Sequence, residues 1–546
     1  MSYIKYMISI IKSKKEILKL IIVYGGLSVF SYAISLYTPF LQSNYIDKLI
    51  SSTGFTQIEK LIYAIISIAI LSIGFSYISS LIMTKLNSDL EFKLISLMIK
   101  HIHKLPILKV IHYNAAYLNQ RVNEDSSVVV SFFLSNFINF PLKWIIGIFQ
   151  FYIIYKLSFK FFITALFLIP GYIVVYSLTQ KKIYEKNYNL KEVQNKYYNT
   201  LYDQFHFIKE IKLSANFKAN NKRTEESYKN YFNTYYSYAK YLNVLGSLDT
   251  ILLNMFNIIL LIIGAAEYFN KMITIGEITL LTSYFGMISG TVNYYVGVVK
   301  SYQSAKVSYD RLKELNNFEE ERNGDIFLNS IDRIKVDDIS FGYSEKNILQ
   351  NLNYEFNKGN IYVIVGDNGT GKTTFINILT GIIKEGVEGS IWYNNYLLDD
   401  LDMYKIRLNK FYILPQSENM QSVTVEEMLK MNLNLESKED FDNFISNNDI
   451  KLVDYGNDFN IEKYLNRSMI TLSGGEAKKS NLLVSIYKDC EIMILDEPTN
   501  ELDRKGVEYF KDILQHMKKN RIIILITHDK NILNIADKII DFNKIH

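Results

Sequence analysis

Long, nearly uninterrupted apolar segments dominate the N-terminal half of this sequence. The first covers residues 17–41 and is broken only by Lys19. Further segments of similar length lie at residues 61–84, 132–157, 159–178, 242–269 and 278–300. Each is close to the ~20 residues that an α-helix needs to cross about 30 Å of hydrocarbon. The pattern predicts six membrane-spanning helices, and it disfavours long buried helices of a water-soluble protein because such lengths recur.

Two long polar intervals, 85–131 and 179–241, separate some of these segments. Within them apolar residues still recur at helical spacing, for example at Leu190, Val193 and Tyr197. This spacing predicts that the spanning helices continue beyond the membrane as helical extensions. Both intervals and the N-terminus are rich in lysine. The positive-inside rule therefore places them in the cytoplasm.

The hydrophobic pattern changes after a polar stretch at residues 314–324. From Ile331 onward, short apolar strands alternate with helical stretches, as is typical of an α/β domain with a largely parallel sheet. We therefore predict a multi-domain protein with an all-α polytopic membrane domain at 1–315, a linker at 316–332 and an α/β domain at 333–546. The length of 546 residues also favours more than one domain.

Composition agrees with a chain that is partly membrane-embedded and partly water-soluble. Hydrophobic residues make up 49% and charged residues 21% of the sequence, and the mean hydropathy is only +0.02. The net charge of +4 does not favour a nucleic-acid partner. The mixture of tyrosine and lysine at 184–202 is better interpreted as a solvated amphipathic helix pair. The single cysteine, Cys490, excludes an intrachain disulfide and is expected to be buried.

A phosphate-binding loop lies near the start of the α/β region. It matches G-x-x-x-x-G-K-[ST] and consists of Gly366, Asp367, Asn368, Gly369, Thr370, Gly371, Lys372, Thr373 and Thr374. An apolar strand precedes it and a helical stretch follows it, which is the context that this motif requires. Its backbone N–H groups are expected to surround the phosphates of ATP, with Lys372 on the β- and γ-phosphates and the Thr373 hydroxyl on Mg²⁺. This motif assigns the second domain to the α/β P-loop NTPase fold.

Two carboxylates, Asp496 and Glu497, directly follow a run of four apolar residues. A buried strand would present both at its carboxyl end, where ligands of open α/β sheets bind. We expect Asp496 to hold Mg²⁺ and Glu497 to orient or deprotonate the attacking water. The chemistry predicted is therefore hydrolysis of ATP.

A second glycine-containing stretch, residues 472–476, precedes another helical segment. It consists of Leu472, Ser473, Gly474, Gly475 and Glu476. A serine hydroxyl, glycine N–H groups and a helix N-terminus together form an anion site. One phosphate-binding loop does not need two such sites for one nucleotide.

These motifs together resemble those of the ATP-binding cassette (ABC) transporter family. In that family, the pentapeptide at 472–476 corresponds to the signature motif, which binds the γ-phosphate held by the phosphate-binding loop of a second subunit. The resemblance therefore implies that two subunits share each ATP. Because Glu497 and the signature are both present, we expect a second identical subunit, with a heterodimer as the alternative.

The resemblance assigns further roles at matching positions. Tyr343 corresponds to the aromatic residue that stacks on adenine, and Gln416 to the glutamine that contacts Mg²⁺ and the water. Asp503 corresponds to an aspartate at the dimer seam. His528 corresponds to the histidine that contacts the γ-phosphate, which makes it a catalytic candidate together with Glu497. The sequence departs from the family pattern at Glu476, where glutamine is usual.

Six spans ahead of one such domain resemble a half-transporter of the ABC exporter type, in which the six helices are long and extend into the cytoplasm. Within this resemblance, Leu105, Pro106, Arg121 and Asp125 correspond to a first cytoplasmic coupling region. Residues 209–214 correspond to a second. The resemblance implies a multi-pass protein of the cell membrane, with the N-terminus and the ATPase domain in the cytoplasm.

The expected function is ATP-driven export by alternating access. A modified or antimicrobial peptide is the first choice of cargo; export or flipping of a drug or lipid is the alternative, and a membrane-anchored regulatory ATPase is less favoured. No Cys/His pair precedes the spans, so the chain is not expected to trim a leader peptide itself. Aromatic residues in the spans would suit a bulky or amphipathic cargo, although they could equally pack between helices or face lipid. They are Phe132, Phe133, Phe137, Tyr152, Tyr284, Tyr294 and Tyr295.

Overall fold

The structure, a computed structural model, contains two compact units. It describes residues 15–51, 55–111, 113, 115–343, 347–416, 422–435, 437–447, 451–452, 459–460, 464–500, 502 and 504–544. The first unit comprises Met1–Leu105 and Ile111–Glu319, and the second comprises Pro106–Val110 and Glu320–His546. The domain boundaries that we drew from the sequence stay a prediction.

The described residues up to Asn316 are almost all helical. Its helices are α1 (Lys15–Ile50), α2 (Phe55–Ile102), the short α3 (Ile107–Val110), α4 (Ala115–Phe137), α5 (Asn139–Leu157), α6 (Phe159–His206), α7 (Ile208–Ser214), α8 (Phe217–Phe269) and α9 (Ile275–Asn316). Helices α2 and α6 each have 48 residues and α8 has 53. At 1.5 Å per residue they are roughly 70–80 Å long, more than twice the hydrocarbon thickness. The spanning helices therefore continue far beyond a membrane, as the sequence predicted.

Within the described residues, four helical segments are long and apolar enough to cross a membrane. They are Lys15–Ile50, Phe55–Ile102, Tyr117–Leu157 and Phe217–Phe269. The fourth and sixth predicted spans lie within α6 and α9. The helical membrane domain is therefore present, while the count of six spans stays a prediction.

The apolar residues of the first unit pack at helical spacing. On α2, Leu86, Leu90, Leu94 and Met98 recur every four residues and are buried. They belong to a cluster with apolar residues of α4 and α9, including Val129. The polar interval 85–131 thus forms helix pairs with a buried apolar seam, which is the predicted amphipathic extension.

The same extension contains a buried ionic cluster. The Asp125 carboxylate is only 3% exposed. It accepts a hydrogen bond from Lys191 at 3.1 Å and lies 3.0 Å from the Nε atom of Arg311. The Arg121 guanidinium, 1% exposed, donates to the Arg311 carbonyl and the Glu314 carboxylate. These groups tie α4, α6 and α9 together, and each cation lies close to an anion, as buried charges require.

The second unit is an α/β domain. Its strands are β1 (Arg333–Gly342), β2 (Asn347–Asn357), β3 (Ile361–Val365), β4 (Glu388–Tyr393), β5 (Tyr396–Leu397), β6 (Phe411–Leu414), β7 (Lys451–Leu452), β8 (Phe459–Asn460), β9 (Ile492–Asp496), β10 (Ile522–Ile526) and β11 (Lys538–Asp541). Its helices are α10 (Lys372–Leu379), α11 (Met403–Lys410), α12 (Val425–Leu433), α13 (Lys438–Asn447), α14 (Gly474–Tyr487), α15 (Arg504–Met517) and α16 (Lys530–Leu533).

A five-stranded parallel sheet positions the functional residues. Its strand order is β11-β3-β10-β9-β6, and an antiparallel sheet, β2-β1-β4-β5, accompanies it. Side chains of β3, β9 and β10 alternate between two apolar clusters, which cover both faces of the parallel sheet. Burial on both faces explains the continuous apolar runs in the sequence. The fold is therefore the predicted one, a helical membrane domain followed by an α/β nucleotide-binding domain.

Candidate nucleotide site

The phosphate-binding loop connects β3 to α10, as its sequence context required. Gly369 and Gly371 have φ values of 87° and 90°, which residues with a side chain rarely adopt. A Cβ atom at Gly371 would also lie 2.7 Å from a methyl carbon of Ile348. Glycine is therefore needed at this position for both conformation and space.

The loop holds its lysine at the start of α10. The Lys372 ammonium donates to the carbonyl oxygens of Gly366 and Asp367, the latter at 2.9 Å. The main-chain N–H of Asp367 is held in turn by the Asn543 side chain at 2.9 Å. A cation and the N–H groups of a helix N-terminus thus meet at one point, which is the arrangement that binds phosphate.

A cavity of about 430 Å³ lies beside this loop. Its lining residues are Ile348, Asn368, Gly369, Gly371, Lys372, Thr373, Thr374, Gln416, Asp496, Glu497, Ile526 and His528. The structure thus gathers ten of the twenty predicted site residues, from four separate parts of the chain. Gly366, Asp367 and Thr370 belong to the loop but do not line the cavity.

Sheet register explains why these residues meet. Ile526 of β10 pairs with Asp496 on one side and with Ile364 of β3 on the other. Parallel strands end at the same edge, so the residues after β3, β9 and β10 share it. Gln416 follows β6 and reaches the same edge.

Asp496 lies in a partly desolvated position. The residue is 8% exposed, and burial together with the smaller effect of the Glu497 charge raises the pKa of its carboxyl to about 6. Lys372 and Lys478 oppose this rise in pKa. A cation bound at Asp496 would favour the charged carboxylate.

Glu497 has an unusual backbone conformation. Its φ of 46° is positive, and such strained positions are concentrated at functional sites. Its N–H donates to the Ile526 carbonyl at 2.8 Å, and its carboxylate accepts from the Thr527 hydroxyl at 3.3 Å. Two contacts from the neighbouring strand therefore hold the proposed catalytic carboxylate.

The remaining residues assigned by resemblance have different surroundings. Tyr343 is 55% exposed, and its ring packs edge-on against Phe341 with centroids 5.1 Å apart. Its hydroxyl lies 3.4 Å from that of Thr374. A ring face is therefore accessible close to the loop. Asp503 lies outside the described residues.

The signature residues form the start of α14. The Ser473 side chain caps the helix by accepting from the Glu476 N–H, and the Glu476 carboxylate accepts from the Ser473 N–H at 2.8 Å. These hydrogen bonds lower the pKa of Glu476. Glutamate can therefore replace the usual glutamine without loss of this capping box. None of the residues 472–476 lines the cavity beside the phosphate-binding loop.

Sequence reasoning missed four residues of this site. They are Thr527, which contacts Glu497, Ile348 and Ile526, which line the cavity, and Lys478, which lowers the pKa of Asp496. The position of Thr527 at the carboxyl end of β10 is a signal that could have identified it. Ile348 and Lys478 come from elements whose approach depends on the tertiary fold.

The oxygen groups of this cavity fit a hard divalent cation. The Thr373 hydroxyl, the Gln416 amide and the Asp496 carboxylate all line it. Mg²⁺ commonly uses one or two carboxylates and completes its shell with water and substrate phosphates. Within the part of the chain that the structure describes, no group of three or more His, Cys, Asp or Glu residues could hold a metal ion. Such a cluster is not required when phosphates supply ligands.

Two known families match successive parts of this chain. The family described as "ABC transporter transmembrane region" matches residues 21–292, and the family described as "ABC transporter" matches residues 349–500. The second match contains the phosphate-binding loop and both carboxylates. The domain binds and hydrolyses ATP.

Individual relatives agree with both matches. The energy-coupling factor transporter ATP-binding protein EcfA1 of Mesomycoplasma hyopneumoniae is 36% identical over 219 residues, which cover 38% of this chain and 77% of that protein. The lactococcin-A transport/processing ATP-binding protein LcnC of Lactococcus lactis is 21% identical over 99% of this chain and 75% of its own length.

A solved structure shows the same fold over nearly the whole chain. It is described as a bacterial Atm1-family ABC exporter with ATP bound. The likeness has a TM-score of 0.81 at 16% identity and covers 97% of this chain and 94% of the other. This chain belongs to the ABC transporter family, as a half-transporter of the exporter fold that joins one transmembrane region to one ATP-binding domain.

Proposed function

We propose that this protein is an ATP-driven peptide exporter that works as a homodimer in the cell membrane. The proposed dimer is supported by the separation of two anion-binding elements within one chain. Lys372 and Glu497 line one cavity, whereas the signature at the start of α14 does not reach it. A second copy would supply that signature, and a heterodimer is the alternative.

The residues of the cavity have different roles in the hydrolysis of ATP. ATP, with Mg²⁺, supplies the phosphoryl group that is transferred to water. The loop N–H groups and Lys372 hold the phosphates, and the Tyr343 ring is available to adenine. Thr373, Gln416 and Asp496 provide ligands for the metal. Glu497 accepts the proton of the attacking water or orients it, and His528 contacts the γ-phosphate.

Helix α3 supports a coupling role for the first cytoplasmic loop. This helix belongs to the second compact unit. Leu108 packs on the apolar core of that unit, and the Lys109 ammonium donates to the Glu385 carboxylate at 3.2 Å. Movement of the ATP-binding domain would therefore move this part of the loop. Such a link is needed if ATP binding is to drive alternating access.

The peptide cargo is supported by the relative whose name includes lactococcin-A transport, since its likeness extends over 99% of this chain. The N-terminus and the helical extensions are rich in lysine, which supports a cytoplasmic location for them. The ATPase domain would then lie on the same side of the membrane. Export of a drug or lipid is the second candidate.

Transport by inside-out vesicles tests the proposal. ATP should drive uptake of a bacteriocin-type peptide, and the Glu497→Gln variant should not support it. Uptake of lipids or hydrophobic dyes without any peptide would favour the drug or lipid alternative. ATP hydrolysis without uptake of any cargo would favour a membrane-anchored regulatory ATPase.

Mixing wild-type and Glu497→Gln chains tests the dimer. Two sites that depend on each other give a non-linear loss of ATPase activity as the mutant fraction rises. A strictly linear loss would contradict cooperation between two copies.

A further inference from the structure

The first unit contains a cavity of about 720 Å³ whose lining residues, with one exception, have polar side chains. Helices α1, α2 and α4 line it, with Asn139 at the start of α5. Its walls consist of nine serines, one threonine, two asparagines, two tyrosines and one methionine. Every lining residue except Met83 therefore carries a hydroxyl or an amide.

No lining residue of this cavity is ionisable to a full charge at neutral pH. Charges at membrane depth are costly, whereas neutral hydrogen-bonding groups are tolerated there. A ligand with a net charge would find no counter-charge on the lining itself, although the Lys143 ammonium lies behind it, 5.5 Å from the centroid of the Tyr32 ring. The lining therefore selects neutral groups that both donate and accept hydrogen bonds.

One wall of the cavity is already held in place by hydrogen bonds. The Asn139 amide donates to the Tyr24 hydroxyl at 3.2 Å and accepts from the Tyr32 hydroxyl at 3.4 Å. The Ser131 hydroxyl donates to the Asn87 side chain at 3.1 Å. These contacts cross between helices, so the wall is a preformed polar surface.

The opposite wall differs. Among the described residues, no side-chain hydrogen bond is found for Ser72, Ser76 or Ser79 of α2, all of which line the cavity. Ser67, on the same helix outside the cavity, donates to its own helix at the Tyr63 carbonyl, 2.8 Å away. Serine in a helix can make such an internal bond. Three hydroxyls that do not make one are available to a ligand.

The cavity is elongated along α2. From Ser72 to Ser88, both on its lining, the helix rises about 24 Å at 1.5 Å per residue. An extended peptide covers about 3.3 Å per residue. About seven residues therefore fit along this wall.

We propose that this cavity binds an extended, uncharged peptide segment of about seven residues through its main-chain N–H and C=O groups. This inference rests on the proposed function and names the part of the cargo that is recognised. Peptide groups alternate donors and acceptors, and serine hydroxyls and asparagine amides supply both. Recognition of the main chain tolerates many side chains but excludes charged ones.

The structure does not place the aromatic residues singled out in the sequence on this lining. Tyr284 is buried, and its hydroxyl donates to the Leu36 carbonyl at 2.7 Å. The Tyr294 hydroxyl donates to the Asn136 side chain at 2.8 Å. Phe133 stacks on Phe137 with centroids 4.8 Å apart. Tyr284 and Tyr294 therefore bond between helices, whereas the Phe133–Phe137 contact lies within α4. None of the seven aromatic residues lines the cavity.

The test measures binding of a fluorescent neutral heptapeptide of Gly, Ser and Asn to the full-length protein in lipid nanodiscs. A second probe is the same peptide with alternate main-chain nitrogens methylated, which removes donors and keeps the side chains. We expect methylation to weaken binding to the wild-type protein about tenfold or more, since several hydrogen bonds are lost. Equal binding of the two peptides would overturn the proposal without any variant protein.

A triple variant, Ser72→Ala, Ser76→Ala and Ser79→Ala, should weaken binding of the unmethylated peptide about tenfold. Its matched control changes three hydroxyls that bond to their own helices outside the cavity: Ser67→Ala, Ser283→Ala and Ser301→Ala. The control should bind like the wild type. Equal weakening by both triples, or by neither, would overturn the assignment.

Maltoheptaose tests the other class of ligand that hydroxyls and amides can bind, an uncharged oligosaccharide. Binding of fluorescent maltoheptaose, with no binding of the heptapeptide, would overturn the peptide assignment. Failure of this binding site can be distinguished from failure of the proposed export function. Vesicle uptake of a peptide that is insensitive to methylation and to the triple variant would sustain export and reject this site.

Discussion

The nucleotide cavity and the hydroxyl-lined cavity of the first unit differ in the charge of the side chains that line them. The nucleotide cavity carries Lys372, Asp496, Glu497 and His528, whereas the hydroxyl-lined cavity of the first unit carries no charged side chain. A polyphosphate with a metal ion requires charges of both signs, and a water-exposed strand edge can hold them. Within the membrane a charged side chain is costly, so the proposed cargo site uses neutral hydrogen-bonding groups instead. The nucleotide site and the proposed cargo site therefore differ in whether their side chains are charged.

The largest expected effect removes a charge from the nucleotide cavity. Glu497→Gln should lower ATP turnover by a factor of about 10²–10⁴, the usual contribution of a general base, while ATP still binds. Single-turnover hydrolysis and nucleotide binding measure the two effects separately. Glu508→Gln, an exposed position on α15, is the control and should keep wild-type turnover. Unchanged turnover in Glu497→Gln would remove this residue from its catalytic role.

The converse change adds a charge to the hydroxyl-lined cavity. Ser76→Asp places a carboxylate at membrane depth, which costs about 2.5–3.5 kcal/mol on insertion scales, a factor of about 100. We expect a strong loss of protein in the membrane fraction and of peptide uptake per molecule inserted. Ser76→Asn is neutral and should preserve both. Wild-type insertion and uptake by Ser76→Asp would show that the neutral lining is not required.

A smaller effect should follow from loss of the hydroxyl that contacts Glu497. Thr527→Val keeps the shape but removes this hydrogen bond, so the catalytic-rate constant should fall about tenfold with little change in KM for ATP. Thr380 is equally buried, but its hydroxyl donates to its own helix at the Ile376 carbonyl, 2.8 Å away. Thr380→Val should therefore leave turnover unchanged. If KM rises and kcat does not fall, Thr527 acts on binding instead.

The smallest effect concerns acid stability of the signature helix. Hydrogen bonds from Ser473 lower the pKa of Glu476 in the folded protein. The capping contribution is therefore complete above the ordinary glutamate pKa of about 4.3 and is lost as pH falls through the lower folded value. The difference in Tm between the wild type and Glu476→Gln should shrink as pH is lowered below about 4. A difference that is independent of pH would argue against this cap.

Local sequence patterns predicted much of the nucleotide site. The strand before Gly366 and the acidic pair at the carboxyl end of β9 were recognisable because parallel strands end at one edge. Thr527 was not assigned a role, although it follows β10 at the same edge, because its contact with Glu497 depends on the pairing of β10 with β9. Gln416, His528 and Tyr343 were located through resemblance, and the cavity places the first two beside the loop.

The sequence by itself determined the long apolar helices, the phosphate-binding loop and the order of the two domains, because each depends on residues that are close together along the chain. Only the tertiary structure decided where the serines face. Ser28, Ser76 and Ser131 look alike in sequence, and a serine in a helix can bond to its own backbone as readily as it can face a cavity. They share a cavity because three helices pack with these faces turned together. Such packing joins residues that are far apart in the chain, and no local pattern records it.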